Sequence, residues 1–179
     1  MRDSIENSKA ADSVAASLTR LAGAGEGASA KGVYTLECRD ADGNLKWEQD
    51  ISNLVVNGGL QDMNSKYFTG SSYTAAWYIG LYGAGASNTP AAGDTASSHA
   101  GWTEITPYTG NRPSVTFAAA TNANPSVVTN SGTPANFNIN ATGTVGGAFL
   151  TSGSAKSGTA GTLFSAGNFT GGSRTVASG

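Results

Sequence analysis

Apolar and polar residues alternate in short runs along the chain from residue 33 onward. The first run, residues 33 to 38, and the second, residues 45 to 51, flank the dipeptide Asp42-Gly43. Successive side chains of a strand point to opposite faces, so this alternation indicates half-buried strands. Asp-Gly is typical of hairpin turns because glycine accepts the positive φ that such turns need. The pattern therefore predicts a β-hairpin.

Eight further strand candidates follow, and glycine, proline, asparagine and serine separate each from the next. They are residues 75–82, 103–108, 114–119, 126–130, 134–140, 147–151, 162–169 and 174–177. Short strands at this spacing are typical of antiparallel sandwiches and barrels. We therefore predict a mainly β fold, an antiparallel β-sandwich or barrel-like domain with one short helix and a flexible N-terminal arm.

The helix is predicted over residues 57 to 68, where the apolar residues change from a period of two to helical spacing. These residues are Leu60, Met63, Tyr67 and Phe68. At this spacing their side chains lie on one side of a helix. We expect all four to pack over the sheet.

Residues 3 to 22 show a weaker helical pattern, with Val14, Leu18 and Leu21 on one face. A free helix of this length is marginal in water, and the GAGEG run at 23–27 is typical of a flexible linker. Two interpretations stay open, a frayed terminus or an arm that orders on a neighbouring subunit through those three side chains. The chain is accordingly divided into an arm with linker, residues 1–31, and a β-sandwich structural domain, residues 32–179.

Charge is scarce in the second part of the chain. The 113 residues from 67 to 179 contain only five charged side chains, namely Asp94, Glu104, Arg112, Lys156 and Arg174. Charged residues usually make up about a quarter to a third of the surface of a small soluble domain. A surface of Gly, Ala, Ser, Thr and Asn suits contact with other chains, so we expect a protein that assembles.

The remaining composition excludes several classes of protein. The net charge of -2 does not provide the basic face that nucleic-acid binding requires. Cys38 is the single cysteine and rules out an internal disulfide. No run approaches the ~20 apolar residues of a membrane span, and residues 1 to 13 lack the apolar centre of a signal peptide. We expect no nucleic-acid or membrane partner, and synthesis in a cytoplasm.

Residues that could carry chemistry are few. His99, the single histidine, lies near Ser97, Ser98, Asp94 and Glu104 in the sequence, but a triad is defined by geometry and no Gly-x-Ser-x-Gly motif is present. One histidine with scattered carboxylates is too little for a transition-metal site. We predict no catalytic residue, cofactor or metal.

The run Asp40-Ala41-Asp42-Gly43-Asn44 resembles the beginning of a calcium loop. Glycine at its fourth position and Ile51 at its twelfth do not fit that loop, which needs a bidentate glutamate last. A hairpin turn explains the run better.

Aromatic residues offer one further candidate. A platform on which sugars stack could be formed by Trp77, Tyr78, Tyr82, Trp102 and Tyr108, because aromatic rings offer a large contact area at low entropy cost. Such residues more often fill a core or a subunit interface, and we assign Trp47, Trp77, Tyr78 and Trp102 to that role.

Several segments resemble a family of small structural proteins of tailed bacteriophages. They read ISNLVVNGGL at 51–60, AAWYIGLY at 75–82, AGDTASSHAGWTE at 92–104, VGGAFL at 145–150 and TLFSAGNF at 162–169. The likeness spans about residues 33 to 179. It implies a non-enzymatic component of the virion and leaves open whether the component lies on head, neck or tail.

Residue pattern and resemblance together predict a capsid decoration (cement) protein, located in the virion, with the major capsid protein and copies of itself as partners. The first alternative is a tail, neck or fibre module that binds a host surface glycan through Trp77 or Trp102. A small cell-wall hydrolase using His99 is the least favoured.

Overall fold

The computed structural model describes residues 30–40, 42–73, 76–83, 89–123 and 126–177. The predicted N-terminal helix, with Val14, Leu18 and Leu21, lies outside the described residues and stays a prediction. Within them the chain is mainly β, with a curled antiparallel sheet of six strands and one helix. The predicted fold class is therefore confirmed.

The predicted hairpin is present. Strand β1 (Gly32–Arg39) pairs antiparallel with β2 (Leu45–Val55). Its turn is built on Asp40, whose Oδ1 accepts hydrogen bonds from the backbone N–H groups of Asp42 at 3.0 Å and Asn44 at 2.9 Å. Gly43 has a φ of 86°, a conformation that glycine adopts without a steric penalty.

The hairpin continues into a sheet built from distant parts of the chain. The further strands are β3 (Trp77–Tyr82), β4 (Ser114–Val115), β5 (Gly143–Val145), β6 (Gly147–Thr151), β7 (Leu163–Asn168) and β8 (Arg174–Val176). The six-stranded sheet has the order β1-β2-β7-β6-β3-β4, and β5 and β8 form a second sheet of two strands. Each paired neighbour runs antiparallel.

The central strands β6 and β7 of the six-stranded sheet are covered on both faces, whereas β1 alternates between partly buried and exposed residues. Leu81 and Ala148 pack in one core together with Val145 of β5 and Val176 of β8. The next residue along each strand, Tyr82 or Phe149, points to the opposite face because side chains alternate. There they form a second core cluster with Val56, Trp102, Leu163 and Ala166. The central strands are consequently apolar at almost every position.

Helix α1 (Asn57–Phe68) has the predicted bounds, but it packs differently from the prediction. Gly59 is its one buried residue, and a Cβ at that position would collide with the carbonyl of Phe164 on β7. Tyr67 and Phe68 are exposed. The expectation that they pack over the sheet is therefore wrong, because the helix approaches β7 through backbone at its first turn.

Three predicted strands do not form paired strands among the described residues. Residues 103–108 and 134–140 make only single bridges, Tyr82–Glu104 and Tyr108–Ile139, and residues 126–130 form no strand. Phe137 and Ile139 nevertheless pack against the core. An extended segment can therefore alternate in burial although its backbone pairs at a single position, which explains the wrong predictions. Strand β5 was not predicted.

Candidate functional site

The centre of the charge-poor region is a buried ion pair. Arg112 donates from Nε to Glu104 Oε1 at 2.9 Å and from Nη2 to Oε2 at 2.8 Å. Each side chain is only 5% exposed. Such a two-point pair is strong and fixes the orientation of both groups. Removing one partner would leave an uncompensated buried charge, which is costly.

The same ion pair fastens the loop between β6 and β7. Arg112 also donates to the carbonyls of Gly153 at 2.9 Å and Gly158 at 3.0 Å. Glu104 Oε2 accepts the backbone N–H of Ser157 at 2.6 Å. Ser157 has a φ of 57°, a left-handed conformation that is uncommon for residues other than glycine. The pair thus holds a strained loop in place.

Tyr108 and Lys156 extend this network. Tyr108 donates its hydroxyl to Glu104 Oε1 at 3.0 Å, and burial together with the charge of Glu104 raises its pKa. The Nζ atom of Lys156 lies 4.0 Å from the centre of the Tyr108 ring and donates to the carbonyls of Thr106 and Tyr108. Lys156 is thus attached to the segment that carries Glu104.

Asp94 and His99 have structural partners of their own. Asp94 Oδ2 accepts the indole N–H of Trp102 at 3.0 Å and the backbone N–H of Ala91 at 3.0 Å. The ring of His99 stacks on Trp102 with centroids 3.9 Å apart. His99 Nδ1 lies 3.0 Å from the Trp102 carbonyl, and since a carbonyl only accepts, this nitrogen carries the proton.

These bonds do not form a catalytic triad. The bonded oxygen of Asp94 faces Trp102 rather than His99. In the part of the chain that the structure describes, Ser97 and Ser98 bond to Thr95, and no serine hydroxyl bonds to His99. The geometry gives His99 the role of covering and orienting Trp102.

A cleft of about 210 Å³ lies between these groups. Its walls combine the ion pair with aromatic rings and hydroxyl groups, from Ala96, His99, Trp102, Thr103, Glu104, Arg112, Phe149, Thr151, Ser157, Gly158, Thr159 and Leu163. Both charges in the wall are already paired and hydrogen-bonded. The cleft therefore offers neither a free acid nor a free cation to a reacting group.

Arg174 is the fifth charged residue of this region. It donates from Nη1 to the carbonyls of Gly171 at 3.0 Å and Gly172 at 2.8 Å, and from Nη2 to Gln49 Oε1 at 3.0 Å. It thereby connects the turn before β8 to the hairpin. Each of the five charged residues holds loops of the described chain together.

The aromatic residues singled out in the sequence lie in different places. Trp102 is 4% exposed and packs among Tyr82, Phe149 and His99. Trp47 meets Phe169 edge-on with centroids 5.9 Å apart. Trp77 meets Phe164 in the same way at 5.3 Å. Trp47, Trp77 and Tyr78 are all partly buried. Trp102 therefore has no open ring face on which a sugar could stack.

Residues 116–133, predicted in part as the strands 114–119 and 126–130, instead follow the two-residue strand β4 as an exposed segment that we name the finger. Ala118 N–H donates to the Thr129 carbonyl at 2.8 Å, and Thr121 N–H donates to the Val127 carbonyl at 3.0 Å. Its described residues, 116–123 and 126–133, are exposed except for Asn130. Phe117, Val127 and Val128 present their side chains to solvent.

A second exposed apolar feature, the aromatic surface, consists of Tyr67, Phe68 and Tyr73. The pairing Trp77–Val115 places the chain before β3 and the chain after β4 at the same end of the sheet. The finger therefore begins at the end of the sheet at which the chain enters β3. Such grouped exposed apolar residues mark interaction sites more often than scattered ones do.

The carboxylate of Asp40, the first residue of the calcium-loop-like run, serves the hairpin turn. Both oxygens of Asp40 accept hydrogen bonds within the turn, including one from Asn44 Nδ2 at 3.1 Å. The Asn44 hydrogen bonds lower the pKa of Asp40. Among the described residues, no three His, Cys, Asp or Glu side chains are grouped so as to hold a metal ion.

No family model, curated protein or solved structure matches this chain. In the part of the chain that the structure describes, no helix is long and apolar enough to span a membrane.

Proposed function

We propose that this protein is a non-enzymatic structural component of a tailed-bacteriophage particle. Specifically, it is a decoration protein that binds the head lattice, with the major capsid protein and copies of itself as partners. Its contact element is the finger. The segment resemblance to phage structural proteins supports the particle, and the geometry of the finger supports the mode of contact.

The observation that carries the proposal is an exposed segment without charge, whose described sides hydrogen-bond to each other. Residues 113 to 155 contain no charged side chain, and hydrogen bonds across the finger give it a defined shape. Covering such a surface removes apolar groups from water without stripping water from an ion, so the contact incurs no desolvation penalty for charge. A lattice that repeats this contact many times makes a modest affinity sufficient.

The experiment measures binding of the full-length protein to purified phage heads by co-sedimentation. Replacing Phe117, Val127 and Val128 together by serine should weaken binding by roughly tenfold or more, because covering one such apolar side chain contributes about 1.5–3 kcal/mol. The control replaces Val33 and Leu45 by serine; these residues are also exposed but lie on the hairpin, and the variant should bind as the wild type does. Equal binding by all three proteins would refute the role of the finger.

Salt provides an independent arm of this experiment. Because the finger has no charge, binding should change by less than about threefold between low and high ionic strength, where charged contacts are screened. A steep loss of binding with salt would instead indicate contact through the charged residues of the hairpin. Failure of the wild-type protein to bind heads at any salt would contradict the decoration role itself.

Adsorption of the same purified protein to host cells distinguishes the glycan-binding alternative from the decoration role. Saturable adsorption to host cells, lost on replacing Trp77 by alanine, would support a tail or fibre module. Adsorption to heads but not to cells supports the decoration role. Trp102 is not a useful target for this test, because its replacement would disturb the core in which it is buried.

A further inference from the structure

The three side chains of the aromatic surface are exposed to solvent to a large extent for aromatic residues. Tyr67 is 84% exposed, Phe68 is 57% exposed and Tyr73 is 78% exposed. The rings of Tyr67 and Phe68 lie edge to face with centroids 5.0 Å apart. Aromatic side chains carry large apolar areas, so the paired rings of Tyr67 and Phe68, and the ring of Tyr73 that follows them in the chain, leave apolar area in water that favours being covered.

The surface is also held in a fixed shape. Thr69 Oγ1 donates to the Ser65 carbonyl at 2.8 Å, and the Ser71 backbone N–H donates to the same carbonyl at 3.1 Å. These bonds close the turn that follows α1. A ligand for such a surface gains because little chain has to be ordered on binding.

The N-terminal segment of the same chain contains an apolar stripe that could pack against the aromatic surface. Val14, Leu18 and Leu21 recur at helical spacing, and a stripe of three residues gains stability when it packs against another surface. The segment 1–22 has three acidic and three basic residues, so it carries no net charge that would keep it from an uncharged surface.

The connection between stripe and surface is long enough. Residues 22 to 31 can extend to about 33 Å. Gly32, where β1 begins, pairs with Asn53, four residues before α1 begins. The distance from Gly32 to Tyr67, near the end of α1, is therefore at most about 33 Å. A tether of this length gives the stripe an effective concentration on the order of millimolar at the surface of its own chain.

We propose that residues 3–22 dock on the aromatic surface of the same chain, with Val14, Leu18 and Leu21 against Tyr67, Phe68 and Tyr73. This contact belongs to the free protein and does not depend on the proposed role in a phage head. It makes the aromatic surface an internal docking site for the N-terminal segment.

Cysteine cross-linking of the full-length protein tests this contact. The variant Cys38→Ser/Leu18→Cys/Tyr73→Cys places one thiol on the stripe and one on the surface. The matched control Cys38→Ser/Ala16→Cys/Tyr73→Cys places the first thiol on the opposite side of the predicted helix. On mild oxidation at low protein concentration, the Leu18→Cys variant should form an intramolecular disulfide roughly tenfold faster than the control. Equal rates in the two variants, or no disulfide in either, would overturn the proposal.

A disulfide-linked dimer as the main product would show docking on another copy and would overturn the same-chain contact.

A second measurement uses no introduced cysteine. Acetylation of Tyr67 and Tyr73, followed by peptide mass spectrometry, should be several-fold faster in Val14→Ser/Leu18→Ser/Leu21→Ser than in the wild type. Unchanged acetylation rates would count against docking even if the cysteine variants failed to fold.

Discussion

The hairpin with α1, residues 32–68, and the loop-rich region that follows it use charge in opposite ways. In the hairpin, Glu37 and Arg39 pair on the surface with side chains 45% and 52% exposed. In the loop-rich region, Glu104 and Arg112 pair with side chains 5% exposed and bond to three backbone groups of one loop. A surface pair contributes little to stability, whereas a buried and fully bonded pair decides whether its loops keep their positions.

This difference explains how a nearly uncharged region can fold and still present a surface for contact. The side chains of Asp94, Glu104 and Arg112 are buried, and Lys156 and Arg174 are partly buried. All five hydrogen-bond to loop residues. The outer surface of the region is left to small polar and apolar residues, which another chain can cover without desolvating an ion. Low charge in this region is therefore a property of the surface rather than a sign of disorder.

The largest expected effect comes from breaking the buried pair. Arg112→Met should lower the free energy of unfolding by about 3–5 kcal/mol, because Glu104 is left buried without its partner. Urea denaturation of the variant measures this loss. Arg39→Met is the control and should cost less than about 1 kcal/mol. Similar losses in both variants would contradict the contrast between the two regions.

A second expected effect concerns how α1 is seated. Gly59→Ala should cost about 1–3 kcal/mol, because the new Cβ collides with the Phe164 carbonyl. Gly93→Ala is the control, since a Cβ there meets no atom within 4 Å, and it should change stability by less than about 0.5 kcal/mol. Thermal unfolding of both variants measures the difference. If Gly59→Ala were as stable as Gly93→Ala, the close approach of α1 to β7 would be disproved.

High pH tests the hydroxyl that attaches β1 to β7. Tyr34 donates to the Ser165 carbonyl at 3.2 Å, and burial raises its pKa from 10.0 to about 12. The raised pKa means that the unfolded chain loses this proton first, so stability is full below pH 10 and falls as pH rises to 12. The slope should reach at most about 1.4 kcal/mol per pH unit for this group.

The measurement is the free energy of unfolding between pH 9 and pH 12 for the wild type and Tyr34→Phe. The variant should lose stability less steeply with pH. Some slope remains in it, because burial also raises the pKa values of Tyr82 and Tyr108. Identical slopes in the two proteins would show that Tyr34 ionises equally in the folded and unfolded states.

The smallest expected effect on stability comes from the finger. Replacing Phe117, Val127 and Val128 singly by serine should change the free energy of unfolding by no more than about 0.5 kcal/mol each, because exposed residues contribute little. Urea denaturation measures each change. A large loss in any variant would mean that the finger is part of the core rather than a contact element.

The sequence predicted local features well. Hairpin, turn and helix bounds depend on neighbouring residues, and the Asp42-Gly43 turn and residues 57–68 appear as expected. Alternation in 134–140 was misleading because it records which side chains meet the core, as Phe137 and Ile139 do, and not whether the backbone pairs. The short strand β5 carries no such pattern and depends on β8 for its pairing.

The candidate site was less predictable, for a physical reason. Glu104 pairs with Arg112, and Asp94 pairs with Trp102, within irregular segments whose shape the sequence pattern does not predict. Ser157, which donates to Glu104, comes from a distant loop. No periodic pattern encodes a contact between loops. The scarcity of charge was the one available signal, because a charged residue kept in an uncharged region usually has a partner.

The copy number of the protein in purified phage particles tests the central claim most directly. Quantitative gel analysis or mass spectrometry against the major capsid protein provides that ratio. A decoration protein that covers the head lattice should be present in hundreds of copies per particle. A dozen copies or fewer would place it on the neck or tail, and absence from the particles would contradict a structural role.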